Sequence, residues 1–408
     1  MMIVLHTAAI LLTLVALFSY LNYRFVSLPN TIVVMTVAAA ASLIMVLLGK
    51  LGWDDLVFYT SQVLGGNNDL SPLMQSLLGL LLFVAALQLN LQELKSQSWV
   101  VAAIALISTA LSVVLIGSLL WLVLRALGAP LEYFYCLFFG LLISPTDSIG
   151  LLGVLRSVRV AKSMETMISG ESVCNNAITV ILFALFAAVF ANPDAADTVL
   201  TLPMLQLLLG GMVWGVLLGV LMYYLLKGIE QQSQLAMLLT LSLSLAGEAV
   251  ALWLGLSVPV ALLIAGVFLA NNSAMTDGIR EQLKLFWGLI NEIVLMGLFV
   301  VLGLALLLLP VRVEYLLAAL AIIPVVIFAR YVGVGLPILV LQRYRRFHPG
   351  MARLLTWGAL RGGISAALIL TLPQNTTRDV LLVLTYAVVI FSVSVQGLVL
   401  NRMLDEVR

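Results

Sequence analysis

The stretch Ser144-Pro145-Thr146-Asp147 sets a carboxylate and two hydroxyls beside a residue that has no backbone N–H, inside an otherwise apolar run. Proline removes a helical hydrogen bond and clashes with the preceding turn, so a helix reaching this point opens and frees carbonyl oxygens next to Asp147. An anionic, oxygen-rich, partly unwound stretch is what a desolvated monovalent cation needs. The next apolar run carries a second polar facet, Ile168 to Ile178, read as ISGESVCNNAI. Four-residue spacing stacks Glu171 over Asn175 and Ser172 over Asn176, giving two adjacent polar rows on one helix side. One row can meet an arginine while the other faces an ion.

Glu248, Glu292, Arg330 and Arg361 are the other charges well inside apolar runs, away from their ends. Ionisable side chains in the bilayer interior are costly, so each is either functional or half of an ion pair that fixes helix packing. Glu248 and Glu292 are placed outside the ion site, either of them a candidate bridge to Arg330. Nucleophilic catalysis is not expected. Ser172 sits in Gly170-Glu171-Ser172-Val173-Cys174, which lacks the Gly-x-Ser-x-Gly elbow, and His6 and His348 lie near loops or ends. Two such histidines build no metal-ligand cluster either, so the chain reads as a cofactor-free non-enzyme.

These residues must be positioned by helices in a membrane. Of 408 residues, 63% are hydrophobic and only 10% charged, which a water-facing surface does not tolerate. The formal net charge of +1 offers no basic face for nucleic acid. Cys136 and Cys174 both lie in apolar segments and suggest no disulfide framework. Runs long enough to span about 30 Å of hydrocarbon fall at 3–22, 30–49, 71–90, 98–124, 131–154, 164–191, 201–226, 234–254, 257–271, 283–309, 314–341, 350–372 and 379–403. The first lacks a basic n-region and reads as a retained span, not a signal peptide.

Thirteen spans put the termini on opposite sides. Fourteen of the 20 basic residues fall in loops on the C-terminal side and four on the other, which predicts a cytoplasmic C-terminus and an outside N-terminus in the cell inner membrane. The cluster Gln342 to Gly350 is then a cytoplasmic anchor, and no soluble domain is expected after the last span. The fifth span is broken at Ser144 to Asp147 and the twelfth carries Gly358, Arg361, Gly362 and Gly363. Paired broken spans in two halves point to a site at the bilayer midplane.

The motif SPTD, then Gly170-Glu171-Ser172 with Asn175, and finally WGALRGGISAALILTLP from Trp357 to Pro373 resemble the monovalent cation/proton antiporters of the first class. These are the NhaP-type sodium/proton exchangers akin to animal sodium/hydrogen exchangers. The segment Leu155 to Ser172, Leu285-Phe286-Trp287 and Leu302-Gly303-Leu304 match as well. The resemblance implies an all-α polytopic fold of about thirteen helices in one domain, 1–408, with inverted repeats and crossed unwound helices. Regions 71–191 and 283–403 would contain the core, set against a dimerisation domain.

The resemblance also implies exchange of sodium, or another monovalent cation, for protons by elevator-like alternating access in a membrane-embedded homodimer. Thr146 would offer its backbone oxygen, Asp147 and Ser172 would coordinate the transported sodium, and Asn176 would complete the site. Glu171 would pair with Arg361, and Asn175 would tie the crossed helices. Two departures stand out. The family ends its sixth-helix motif in Asn-Asp where this chain has Asn175-Asn176, and it often carries a glutamate where this chain has Val84. An asparagine keeps an oxygen ligand but loses the titratable group, so weak or absent exchange is expected. The alternative is a non-transporting ion sensor or scaffold of the same fold.

Overall fold

Backbone polar groups in hydrocarbon must be satisfied within their own segment, so the apolar runs fold as helices. The computed structural model describes residues 2–26, 71–89, 98–147, 162–191, 202–227, 232–271, 277–305, 312–343 and 351–397, with scattered positions at 34–44, 229 and 399. The helices are α1 (Met2–Leu21), α2 (Ser71–Leu87), α3 (Ser98–Ala126), α4 (Tyr133–Leu142), α5 (Lys162–Ala191), α6 (Leu202–Leu226) and α7 (Ser233–Trp253). They continue with α8 (Val258–Asn271), α9 (Asp277–Ala305), α10 (Val313–Leu341), α11 (Met351–Trp357), α12 (Gly363–Leu370) and α13 (Thr376–Phe391). A π-helical turn, Ser392–Gln396, extends α13.

Among the described residues seven helices are long and apolar enough to cross a membrane, against thirteen spans expected. Two things separate the counts, helix length and the extent of the described residues. The run 350–372 is broken into α11 and α12, and α2, α4 and α8 are shorter apolar helices. Most of the run 30–49, everything after Asp147 in 131–154, and positions 344–350 of the basic cluster lie outside the described residues.

Contacts sort the helices into two groups. The first holds α3, α4, α5, α10, α11, α12 and α13, with α3 lying along α10 and also contacting α4 and α5. In the second, α8 packs on α2 and α6, α7 on α6, α8 and α9, and α1 on α9. The groups meet where α12 touches α2 and α9, and where α5 touches α8 and α2. Thus the opening helices of the regions 71–191 and 283–403, α2 and α9, sit in the second group.

The short helix α4 is fixed on two sides. Phe134 and Phe138 stack on Phe186 and Phe183 of α5, with ring centroids 5.3 and 5.5 Å apart. On its other side Gly140 lets α4 approach α3 so closely that a Cβ there would lie 2.6 Å from the Val113 carbonyl oxygen. That clamp sets the position at which the chain leaves α4 and unwinds.

Candidate functional site

Two extended crossings form the centre of the first helix group. The chain leaves α4 at Leu142 and runs without helix through Ser144 to Asp147, while the stretch from Gly358 to Gly362 separates α11 from α12. The Asp147 N–H donates to the Leu360 carbonyl at 2.9 Å, an isolated antiparallel bridge that ties one crossing to the other. Pro145 and the glycines around Arg361 are the sequence reasons for both breaks.

Unwinding leaves the carbonyls just past the end of α4 without helical partners. Arg361 satisfies them: its buried guanidinium donates to the carbonyls of Ile143 and Ser144, and its own N–H donates to Ser392 Oγ at 2.7 Å. Here the structure corrects an expectation. Glu171 pairs with Arg330, Oε2 to Nη2 at 2.9 Å, and not with Arg361. Arg330 also donates to Ser108 Oγ at 2.8 Å, so this one side chain joins α10 to α3 and α5. All three residues are buried, which makes the bridge a packing device with a steep cost for losing either charge.

The second polar row of α5 faces the first crossing. Asn175 donates to the Ser144 carbonyl at 2.9 Å and accepts from Thr109 Oγ1 at 2.6 Å, fixing the unwound strand to α5 and α3. Asn176 Oδ1 accepts from the Thr146 N–H at 3.0 Å, while its Nδ2 donates to the Thr146 carbonyl at 3.1 Å. Only this orientation of the amide satisfies both backbone groups; the flipped one would set oxygen against oxygen. Ser172 Oγ donates to the same carbonyl at 2.8 Å.

Thr146, Asp147, Ser172 and Asn176 line one cavity of about 20 Å³, room for a single water or small ion. The family resemblance implied these four, with helical spacing pairing Ser172 and Asn176, and they meet on one cavity wall. The Thr146 carbonyl, expected to face an ion, instead accepts two hydrogen bonds, so an ion could take it only by displacing a donor. A fifth polar residue on the wall, Asn291 of α9, was missed. Its only signal was the pair Asn291-Glu292 in an apolar run, where attention goes to the charge.

The remaining acids lie elsewhere. Glu248, on α7, accepts from Ser76 Oγ of α2 within the second group, and Glu292 is exposed on α9. Neither meets Arg330. Among the described residues no group of three histidine, cysteine or acidic side chains could hold a metal ion, and Cys136 and Cys174 are free.

Known proteins resemble this chain in sequence and in fold. Residues 10–406 match the family model described as sodium/hydrogen exchanger, transmembrane. The chain is 37% identical to the Na(+)/H(+) antiporter NhaP of Pseudomonas aeruginosa over 99% of this chain and 97% of that protein. It is 28% identical to the Na(+)/H(+) antiporter NhaH of Halobacillus aidingensis over 81% of each. Its fold matches the sodium proton antiporter MjNhaP1 from Methanocaldococcus jannaschii at pH 8 with a TM-score of 0.69, at 17% identity and covering 100% of this chain and 98% of that one. With its crossed unwound segments, buried polar cavity and near full-length match, the chain belongs to the transmembrane sodium/hydrogen exchanger family.

Proposed function

We propose that this protein is a secondary transporter that exchanges sodium, or another monovalent cation, for protons, with the cavity at Asp147 as the shared binding site. The observation that carries the reading is the meeting of Thr146, Asp147, Ser172 and Asn176 on that cavity, between the two unwound crossings. A carboxylate there holds a cation or a proton but not both, so competition at one site couples two gradients. Family membership and likeness to proteins named as Na(+)/H(+) antiporters support the same chemistry. Arg361, Asn175 and the Glu171 bridge hold the unwound backbone in register for it.

Alternating access would come from an elevator-like movement of the group containing α4, α5 and α12 against the group containing α2 and α9. The division of contacts between the two groups supports it. The protein works as a homodimer in the cell inner membrane with the C-terminus in the cytoplasm; loop charge supports the orientation and the family resemblance the dimer.

Exchange is slow in this chain because Asn176 cannot titrate and its amide already occupies the Thr146 carbonyl. The same pairing favours a second reading, a non-transporting ion sensor or scaffold. Sodium-driven proton flux in proteoliposomes separates them. The transporter reading expects low but measurable flux from the unmodified chain and higher flux from Asn176→Asp. Zero flux from the unmodified chain selects the sensor, and equal flux from both overturns the role given to Asn176.

A further inference from the structure

Asn291 is 3% exposed on α9, between Ile290 and the exposed Glu292. A buried side-chain amide needs partners, and among the described residues nothing hydrogen-bonds this one. It lines the cavity from α9, a helix of the second group, whereas Thr146, Asp147, Ser172 and Asn176 belong to the first. There the available oxygens are fewer than the lining suggests. The Thr146 carbonyl accepts from Ser172 and Asn176, and Asn176 Oδ1 accepts from the Thr146 N–H. A desolvated cation must replace its water shell with protein oxygens, so the cavity is short of ligands on the side of α4 and α5.

We infer that Asn291 Oδ1 is a ligand of the bound cation, supplied from the helix group that does not carry Asp147. The inference rests on the reading of this cavity as a cation site. It adds a physical consequence: the cation bridges α9 to α4 and α5, so binding holds the two groups in the arrangement seen here. When the groups slide apart the ligand is lost and affinity falls, which favours release in the other access state. The Asn291 amide also suits a site that has the neutral Asn176 on its wall, because it completes the shell without adding charge.

The test is sodium-dependent thermal stabilisation of the full chain purified in detergent, with Asn291→Leu and Asn291→Ser beside the unmodified protein. Loss of one ligand oxygen to a charged group weakens the apparent sodium affinity about tenfold in Asn291→Leu. Asn291→Ser, which keeps an oxygen, falls between. The melting temperature of Asn291→Leu in choline buffer does not fall below that of the unmodified protein, because the lost amide had no hydrogen-bond partner among the described residues, whereas an asparagine with a structural role would lower it. Unchanged sodium affinity in both variants, or in Asn291→Ser alone should Asn291→Leu not fold, overturns the inference and leaves the cation site standing. If sodium, lithium and potassium all fail to stabilise the unmodified chain, the cation-site reading falls, and this inference with it.

Discussion

The side chain of Asn176 pairs with both backbone polar groups of Thr146, accepting from the N–H at 3.0 Å and donating to the carbonyl at 3.1 Å. An asparagine therefore closes the unwound strand by itself. An aspartate in its place sets a second acceptor against the Thr146 carbonyl, and the pair then needs a proton or a cation between them.

That contrast has a pH signature. In Asn176→Asp the protonated carboxyl can donate to the Thr146 carbonyl as the amide does, and the ionised form cannot. The folded state therefore prefers the protonated form, and stability contributed at low pH is lost as pH rises. The melting temperature of Asn176→Asp in choline buffer is expected to fall as pH rises, with sodium restoring it, while the unmodified chain shows no such trend from this position. Parallel pH profiles for the two proteins would remove the role assigned to this pairing.

Removing one half of the Glu171–Arg330 bridge leaves a buried charge without its partner. Glu171→Gln should destabilise the fold by about 3–5 kcal/mol. Glu171→Gln with Arg330→Met should cost less than Glu171→Gln alone, since no orphaned guanidinium remains. A double variant less stable than the single one, measured by thermal melting, would show that the two charges do not act as a pair.

Gly140 and Gly297 make a matched comparison. A methyl at Gly140 meets the Val113 backbone and forces α4 away from α3, whereas nothing lies within 4 Å of a Cβ at Gly297. Gly140→Ala should cost about 1–3 kcal/mol and displace the unwound strand, lowering sodium affinity. Gly297→Ala should leave both unchanged or raise stability slightly. Equal melting temperatures for the two variants would contradict the close approach of α4 and α3.

Both broken helices were legible because proline and clustered glycine act locally, and so was the row of Ser172 and Asn176, which depends on helical spacing alone. The partner of Glu171 was not. Arg330 and Arg361 both lie in apolar runs, and charge cannot choose between them. The choice follows from the break itself, which leaves the carbonyls of Ile143 and Ser144 for Arg361 to satisfy.

Asn291 escaped notice for a related reason. Adjacent residues on a helix point about 100° apart, so Asn291 turns inward while the more conspicuous Glu292 is exposed. The membership of α2 and α9 in the second group was hidden too, because lipid-facing and protein-facing sides of a membrane helix are both apolar.

Asp147 is the residue on which cation binding in the cavity it shares with Ser172 and Asn176 depends in the proposed mechanism. Equilibrium binding of radiolabelled sodium to the purified full chain, with Asp147→Asn as the comparison, tests it most directly. Saturable sodium binding that protons compete away is expected in the unmodified chain, with its loss in Asp147→Asn. Saturable binding of equal affinity in Asp147→Asn would contradict it.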